Sequence, residues 1–291
     1  MRAYLDCYPC FLRQALEAAR MAGADEQLQR RILGRVLEVM KGATLSATPP
    51  QISHQVHRIV RRETGVDDPY RAAKARSTEE ALRLYPWMAQ VVAAAHDRLD
   101  AAVRLSIAGN IIDLAANADY ELRDEVTRVL QEPYGIDDGD AFRVALDGVE
   151  QVLYLADNAG ETVFDRPLIE TIDAPVIYAV KGHPTINDAT IADARAAGVA
   201  EVAELISTGS DAPGTVLETC SERFRRTYGE ADLIIAKGQA NYETLSTEGP
   251  RVFFLLLTKC PVIARDLDAP HRSLILYQGR GDGGRRQEKE L

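Results

Sequence analysis

Hydrophobic residues in the first hundred positions recur at spacings of three and four, the periodicity of helices that bury one face. The clearest faces comprise Phe11, Leu12, Ala15 and Leu16, and then Ile32, Val36, Leu37 and Met40. Breaks fall at Gly23 and in segments 43–50 and 65–69, which contain glycine or proline. The pattern predicts a helical N-terminal region over residues 1–100 that contains no strand.

Two further features refine this helical region. The Pro49-Pro50 pair is expected to open a helix, because the first turn does not need the N–H that proline lacks. A longer helical stretch is expected from about Tyr70 to Arg98, and Pro86 leaves open whether it is interrupted.

Beyond residue 100, short apolar runs rich in Val, Ile and Leu alternate with helical segments. The predicted strands are 105–108, 152–156, 176–180, 202–206, 233–236, 252–257 and 274–277. Nearly continuous apolar strands are buried on both faces, which requires helices on both sides of a parallel or mixed sheet. We therefore expect a three-layer α/β domain over residues 101–280, followed by a disordered tail over residues 281–291.

Composition and charge narrow the classes of partner. The net charge of −10 and the pI near 5.1 argue against nucleic acid, whose binding needs a basic surface. Arg58, Arg61 and Arg62 are interpreted as the solvated face of an amphipathic helix. The longest apolar run, 252–257, has the length of a strand and not of a membrane span. The charged N-terminus makes export unexpected, so we expect a cytoplasmic protein without membrane contact; the oligomeric state stays open.

Candidate metal ligands follow two predicted strands. Asp157 and Asn158 come directly after run 152–156, and a carboxylate beside an amide oxygen suits a hard cation such as Mg²⁺ or Mn²⁺. Asp188 follows run 176–180 and could complete the set, because neighbouring parallel strands end at the same edge of a sheet. The alternative is that these residues, or Asn187, only form turns or cap the next helix.

Candidate phosphate-binding residues follow two other runs. Gly109 and Asn110 follow run 105–108 and could contact a phosphate, or they could form an ordinary turn. Lys237 follows run 233–236, where a buried ammonium group is costly unless it meets an anion such as phosphate. The alternative is a lysine that extends to the surface. Together these residues predict a rim suited to metal-assisted phosphoryl transfer, in which positioning and charge neutralisation dominate.

Several common catalytic motifs do not occur in the sequence. It contains no G-x-x-x-x-G-K-[ST] phosphate loop, no dinucleotide-binding G-x-G-x-x-G after the first predicted strand, and no G-x-S-x-G elbow. The D-x-D-x-T phosphatase motif is missing as well. The segment GSDAPG, residues 209–214, could shape a substrate pocket or form a surface turn.

The same segments resemble the damage-control metal phosphatase family, long described as domain of unknown function eighty-nine. The resemblance runs over nearly the whole chain and is carried by CYPC, TPP, DPY, AGNIIDLA, LADNAGETVFD, GHPTINDATIADA, TGSDAPG and KGQANYETL. The combination of DNAGE and KGQANYE is the most specific part. The short archaeal and bacterial branch with an N-terminal cysteine pair is the most similar.

The resemblance implies a Rossmann-like α/β/α core, and a divalent cation held by Asp157, Asn158 and Asp188. The cation would be Mg²⁺ or Mn²⁺, with Co²⁺ or Ni²⁺ as further options. Asn110 and Asp113 match a segment beside the phosphate, and Lys237 matches a phosphate-facing lysine. Asn241 is a further candidate for phosphate binding. The implied activity is hydrolysis of phosphate esters of small metabolites, including sugar phosphates and damaged phosphometabolites. Asp157, Asn158 and Lys237 would be catalytic, with water or Asp157 as the nucleophile.

Two alternatives and the cysteines complete the sequence interpretation. An S-adenosylmethionine-dependent methyltransferase would need a glycine-rich loop after the first strand, of which AGNIID is a poor version. A non-catalytic metabolite-binding or redox-regulatory module is the other alternative. Cys7 and Cys10 are interpreted as structural thiols at the start of a helix, because Cys220 and Cys260 do not form a second closely spaced pair for zinc.

Overall fold

The computed structural model describes residues 1–44, 46–110 and 119–281. Within these residues, helices precede an α/β region. The helices are α1 (Cys7–Met21), α2 (Glu26–Gly42), α3 (Pro49–Thr64), α4 (Arg71–Ala94), α5 (Arg98–Ala108), α6 (Asp119–Gln131), α7 (Gly139–Leu146), α8 (Glu161–Ile169), α9 (Ile191–Ala196), α10 (Glu222–Glu230), α11 (Gly238–Leu245) and α12 (Pro261–Leu267). The strands are β1 (Tyr134–Asp137), β2 (Val152–Leu155), β3 (Val176–Val180), β4 (Glu204–Ser207), β5 (Leu233–Lys237), β6 (Val252–Leu257) and β7 (Leu274–Gln278).

Helices α1 to α3 pack around a core of their own, which includes Phe11, Val36 and Val56. The prediction that Pro49-Pro50 opens a helix is confirmed. Thr48 and Gln51 form a capping box there, in which the Gln51 side chain accepts the Thr48 N–H at 2.8 Å.

Helices α4 and α5 pack with the sheet instead. Met88 of α4 and Val103 of α5 belong to the same core as Tyr154 of β2 and Phe253 of β6. Helix α4 continues through Pro86 without interruption. The predicted limit between the two regions, residue 100, lies inside α5.

The prediction of a strand at 105–108 is wrong, because these residues form the last turn of α5. All four side chains are buried, so the helix has no exposed position there that would reveal its periodicity. Strand β1 is not predicted from the sequence, because it has no continuous apolar run. Its sequence YGID is only partly buried and contains glycine and aspartate, which are depleted in strands.

The other six predicted strands are confirmed to within a few residues and join β1 in one sheet. The strand order is β1-β7-β6-β5-β2-β3-β4. All neighbouring pairs are parallel except β6 and β7, which are antiparallel. The chain runs outward from β2 through β3 and β4, and returns to β5 on the other side of β2. The carboxyl ends of β2 and β5 therefore form a topological switch point, where open α/β sheets bind ligands.

In the part of the chain that the structure describes, none of the helices combines the length and the apolar character required to cross a membrane. Residues 282–291, most of the predicted tail, lie outside the described residues. The four cysteines, Cys7, Cys10, Cys220 and Cys260, are free thiols. Cys7 is buried at the start of α1, where the interpretation as a structural thiol placed it, and burial raises its pKa.

A buried ion pair joins helix α4 to the start of α9. The ammonium group of Lys74 lies 3.0 Å from Asp68 and 3.0 Å from Asp193, and the lysine side chain is only 2% exposed. Asp193 also accepts the backbone N–H of Thr190, the residue that caps α9.

Lys74→Met is expected to lower the free energy of unfolding by about 3–5 kcal/mol, because it leaves two carboxylates that are 6% and 17% exposed without their cation. Urea unfolding measures this change. Lys41→Met is the matched control, since the Lys41–Glu38 pair is 72% and 70% exposed and should contribute less than about 1 kcal/mol. Equal effects of the two substitutions would contradict the structural role of Lys74.

Candidate metal and phosphate site

Asp157 and Asn158 follow β2 directly and are bonded through their backbone to the loop after β3. The Asp157 carbonyl accepts the N–H of Ala189 at 2.8 Å, and the N–H of Ala159 donates to the Asn187 carbonyl at 2.9 Å. These bonds bring Asp188 beside the pair, and the backbones of Asn158 and Asp188 form an isolated antiparallel β-bridge. The three predicted metal ligands therefore meet at the switch point.

The helix-capping alternatives for these residues are wrong. Helix α8 begins after Gly160, and helix α9 is capped by Thr190 with Asp193. Asp157, Asn158 and Asp188 are thus not the N-cap residues of these helices.

The donor set and its surroundings fit a divalent cation. Asp188 is buried, and its Oδ2 has no hydrogen-bond partner among the described residues, although Lys181 Nζ forms an ion pair with it at 3.4 Å. Burial raises the pKa of Asp188 to about 6, against the opposing effect of Lys181. Two carboxylates and one amide are the hard ligands that Mg²⁺ and Mn²⁺ take. Residues 1–44, 46–110 and 119–281 contain no cluster of three or more His, Cys, Asp or Glu that could hold a metal.

Asp157 is accommodated by the absence of a side chain at Gly238. This glycine has a φ of 76°, and a Cβ at this position would overlap with the Asp157 carboxylate. Gly238 is the first residue of α11 and follows β5 directly. The carboxyl ends of β2 and β5 therefore touch at the Asp157 carboxylate.

Lys237 is fully buried, so the interpretation as a lysine that extends to the surface is wrong. Its ammonium group donates to Asp165 Oδ1 at 2.7 Å and to the Ser106 carbonyl at 2.8 Å, and lies 3.4 Å from Glu161 Oε2. Burial alone would lower the pKa of Lys237, but Asp165 and Glu161 outweigh it and raise the pKa. The anions that balance this lysine belong to the chain itself, and its contact with phosphate stays a prediction.

The two carboxylates that hold Lys237 come from the same helix, α8. Asp165 also accepts hydrogen bonds from the hydroxyl groups of Ser106 at 2.8 Å, Tyr154 at 2.8 Å and Tyr178 at 2.6 Å. The buried network therefore connects α5, α8 and the central strands directly beneath the switch point.

Two of the other three predicted phosphate-binding residues lie in the described part of the chain, and their contact with phosphate stays a prediction. Asn110 is buried and donates from its side-chain amide to Glu161 Oε2. Asn241 donates to the carbonyls of Lys237 at 2.8 Å and Ala156 at 3.2 Å. The Asn241 amide thus ties the ends of β2 and β5 together. Asp113 lies outside the described residues.

Sequence reasoning missed Lys181 and gave Glu161 and Asp165 no role. Lys181 follows β3 directly, whereas Lys237 is the last residue of β5. Lys181 is also buried, and its ammonium group donates to the Gly214 carbonyl. The argument applied to Lys237, the cost of burying an ammonium group beyond a strand, would have found it. Asp165 gave no such signal, because one acidic residue in a helix is usually exposed.

The helical region fixes the loops that carry the site. Arg61 of α3 donates to the Pro184 carbonyl at 2.8 Å and forms an ion pair with Asp211 in segment 209–214. His54 Nε2 lies 2.6 Å from Asp211 Oδ1. The hydrogen bond with His54 and the charge of Arg61 hold the pKa of Asp211 well below its usual range. Arg61 is only 17% exposed, so its interpretation as part of a solvated face is wrong.

Comparison with known proteins shows the family. The model of the damage-control phosphatase ARMT1-like domain family matches residues 3–275. The chain belongs to this family. A Pyrococcus horikoshii protein named damage-control phosphatase PH1575 is 34% identical over 289 residues, which cover 96% of this chain and 99% of that protein. An Archaeoglobus fulgidus protein named damage-control phosphatase is 35% identical over 272 residues, covering 90% and 93% of the two chains.

The structural comparison extends over the same length. The crystal structure of a DUF89 family protein (PH1575) from Pyrococcus horikoshii has a TM-score of 0.90 and 33% identity. It covers 96% of this chain and 100% of that chain. The family resemblance of the sequence is thereby confirmed, whereas its assignment to a branch defined by the N-terminal cysteine pair stays a prediction.

Gly238→Ala is expected to destabilise the protein more than the backbone conformation alone explains, because a methyl group would displace the Asp157 carboxylate. Gly23→Ala is the matched control. Gly23 has nearly the same φ, 75°, but nothing lies within 4 Å of the added Cβ, so this change should cost about 1–2 kcal/mol. Urea unfolding of both variants isolates the contribution of the contact, and equal losses would contradict it.

His57 of α3 is expected to make stability depend on pH. Burial and the charge of Arg61 lower its pKa to about 3, whereas an unfolded histidine has a pKa of about 6.5. Between these values only the unfolded chain binds the proton. The free energy of unfolding should therefore fall by up to about 1.4 kcal/mol for each pH unit below 6.5.

Replacing this histidine by glutamine, His57→Gln, should remove that part of the slope in urea unfolding measured from pH 7 to pH 4. His96→Gln is the control, because His96 is exposed and the variant should keep the slope of the unmodified protein. An unchanged slope in His57→Gln would show that His57 is not the responsible group.

Proposed function

We propose that this protein is a divalent-metal-dependent phosphatase that hydrolyses phosphate esters of small metabolites, such as sugar phosphates or damaged phosphometabolites. Membership of the damage-control phosphatase family and the names of the two relatives support a phosphatase. The observation that carries the metal dependence is the meeting of Asp157, Asn158 and Asp188 at the switch point of the sheet.

Asp157, Asn158 and Asp188 would hold the cation through oxygen atoms. Mg²⁺ or Mn²⁺ suits this ligand set, and Co²⁺ or Ni²⁺ is an option because one ligand is an amide. A cation bound there would withdraw charge from the phosphoryl oxygens and so stabilise the transition state.

The residues of the chain itself would contribute position and charge. Lys181 and Lys237 are two buried ammonium groups, each at the end of a strand that neighbours β2. Their positive charge lies next to the carboxylates of the site and offsets the accumulation of negative charge when a phosphate enters. The amide of Asn110 lies on the same rim through its bond to Glu161. Water or the Asp157 carboxylate would attack the phosphorus in line with the leaving group.

The fold weakens the methyltransferase alternative. AGNIID was the candidate for a glycine-rich loop after the first strand, but Gly109 and Asn110 follow helix α5. Calorimetric binding of S-adenosylmethionine without added metal would favour that alternative.

A screen of sugar phosphates and nucleotides with Mg²⁺, Mn²⁺, Co²⁺ and Ni²⁺ tests the proposed activity. Phosphate release that requires added metal and stops with a chelator is the expected result. Release at the same rate in the chelator would contradict the metal dependence, and no release from any ester would favour a non-catalytic metabolite-binding module.

Asp157→Ala is expected to lower metal-dependent phosphate release by more than about 100-fold, since outer partners of metal ligands alone cost about 10–100-fold. The fold should be retained, as checked by circular dichroism and urea unfolding. Asp140→Ala is the control, because Asp140 is an exposed acid on α7. Full activity in Asp157→Ala would overturn the assignment of the site.

A further inference from the structure

We propose that Glu161 is a positioning residue that determines which atom of the Asn158 amide faces the metal. This inference rests on the proposed metal site and assigns a function to a carboxylate that is not itself a ligand. Glu161 is the first residue of α8, three positions after Asn158, and it is almost fully buried.

A hydrogen bond joins the side chains of Asn158 and Glu161. Asn158 Nδ2 donates to Glu161 Oε1 at 2.7 Å, and the same nitrogen lies 3.3 Å from Asp157 Oδ2. An ionised carboxylate can only accept hydrogen bonds, so the NH₂ group of the amide must point towards Glu161. The carbonyl oxygen of Asn158 is then turned away from Glu161. Hard cations bind amides through this oxygen, so the orientation decides whether Asn158 can be a ligand.

Glu161 is itself held in place by two other groups. Its second oxygen, Oε2, accepts from Asn110 Nδ2 and lies 3.4 Å from Lys237 Nζ. The ammonium group of Lys237 balances the negative charge of Glu161. Glu161 also lies in the first turn of α8, where the helix dipole favours a carboxylate. Both oxygens of Glu161 are therefore used to orient amides, one of Asn158 and one of Asn110. Outer residues of this kind fix the orientation of metal ligands in many proteins.

The geometry explains why the residue must be a glutamate. A glutamine has the same shape but only one oxygen, and its other terminal group is an NH₂ donor. It could accept from Asn158 or from Asn110, but not from both. One of the two amides would face a donor and would rotate, or would lose its partner.

Calorimetric titration with Mn²⁺ tests the inference without measuring activity. Glu161→Gln is expected to weaken Mn²⁺ binding by about 10–100-fold. Glu170→Gln is the matched control. It makes the same chemical change at an exposed residue at the C-terminal end of α8, away from the site. The control should bind Mn²⁺ as the unmodified protein does.

A double substitution separates orientation from general damage. Asn158→Asp alone places a carboxylate against Glu161 and should weaken binding. In Asn158→Asp combined with Glu161→Gln, the NH₂ group at position 161 can donate to the carboxylate at position 158, whose other oxygen then faces the metal. This double variant is expected to bind Mn²⁺ more tightly than Asn158→Asp. The effects of the two substitutions on Mn²⁺ affinity would then not be additive in a double-mutant cycle.

The outcomes distinguish this inference from the proposed function. If the unmodified protein binds neither Mn²⁺ nor the other metals tested, the metal site itself is wrong. If it binds Mn²⁺ and Glu161→Gln binds equally tightly, the metal site stands and the role of Glu161 is overturned. If Glu161→Gln does not fold, as judged by thermal unfolding in a chelator, the comparison of Asn158→Asp with the double variant decides. Equal or weaker binding by the double variant would then overturn the inference.

Discussion

The ion pair between Lys237 and the carboxylates of α8 is the constraint on which the site depends. Lys237 and Asp165 are fully buried, and the ammonium group must be balanced because an isolated charge in the interior is very costly. Three hydroxyl groups donate hydrogen bonds to Asp165, and Glu161 is a second carboxylate beside the ammonium group of Lys237. This buried network therefore links the end of β5 to α8 and to α5.

Helix α8 connects this interior network to the rim of the sheet. Asp165 lies one turn further into the helix than Glu161, so one element holds both the core lysine and the amides at the site. The Asp157-Asn158 pair lies between β2 and this helix and has its backbone bonded to the loop that carries Asp188. A shift of α8 would consequently disturb the core, the amides and the candidate metal ligands together.

Side chains of α3 and α4 also contact the loops around this rim. Arg61 and His54 hold the loops after β3 and β4, and Lys74 holds the start of α9. These contacts are buried or half-buried, so they are less screened than surface pairs. The loops that carry Asp188 and Asp211 are thus fixed between the sheet and the helices, which agrees with a family match that extends over residues 3–275.

Much of the fold and the candidate ligands followed from the sequence by itself. Apolar runs with burial on both faces predicted six of the seven strands found in the described residues. Polar residues after these runs gave the candidates Asp157, Asn158, Asp188 and Lys237. Tertiary structure decided what local pattern does not contain. The run at 105–108 ends a helix, but its burial on every side hides the helical periodicity, and Lys237 meets carboxylates of a helix distant in sequence. Spacing along a chain reports which faces are buried, whereas the partner of a buried charge depends on which elements the fold brings together.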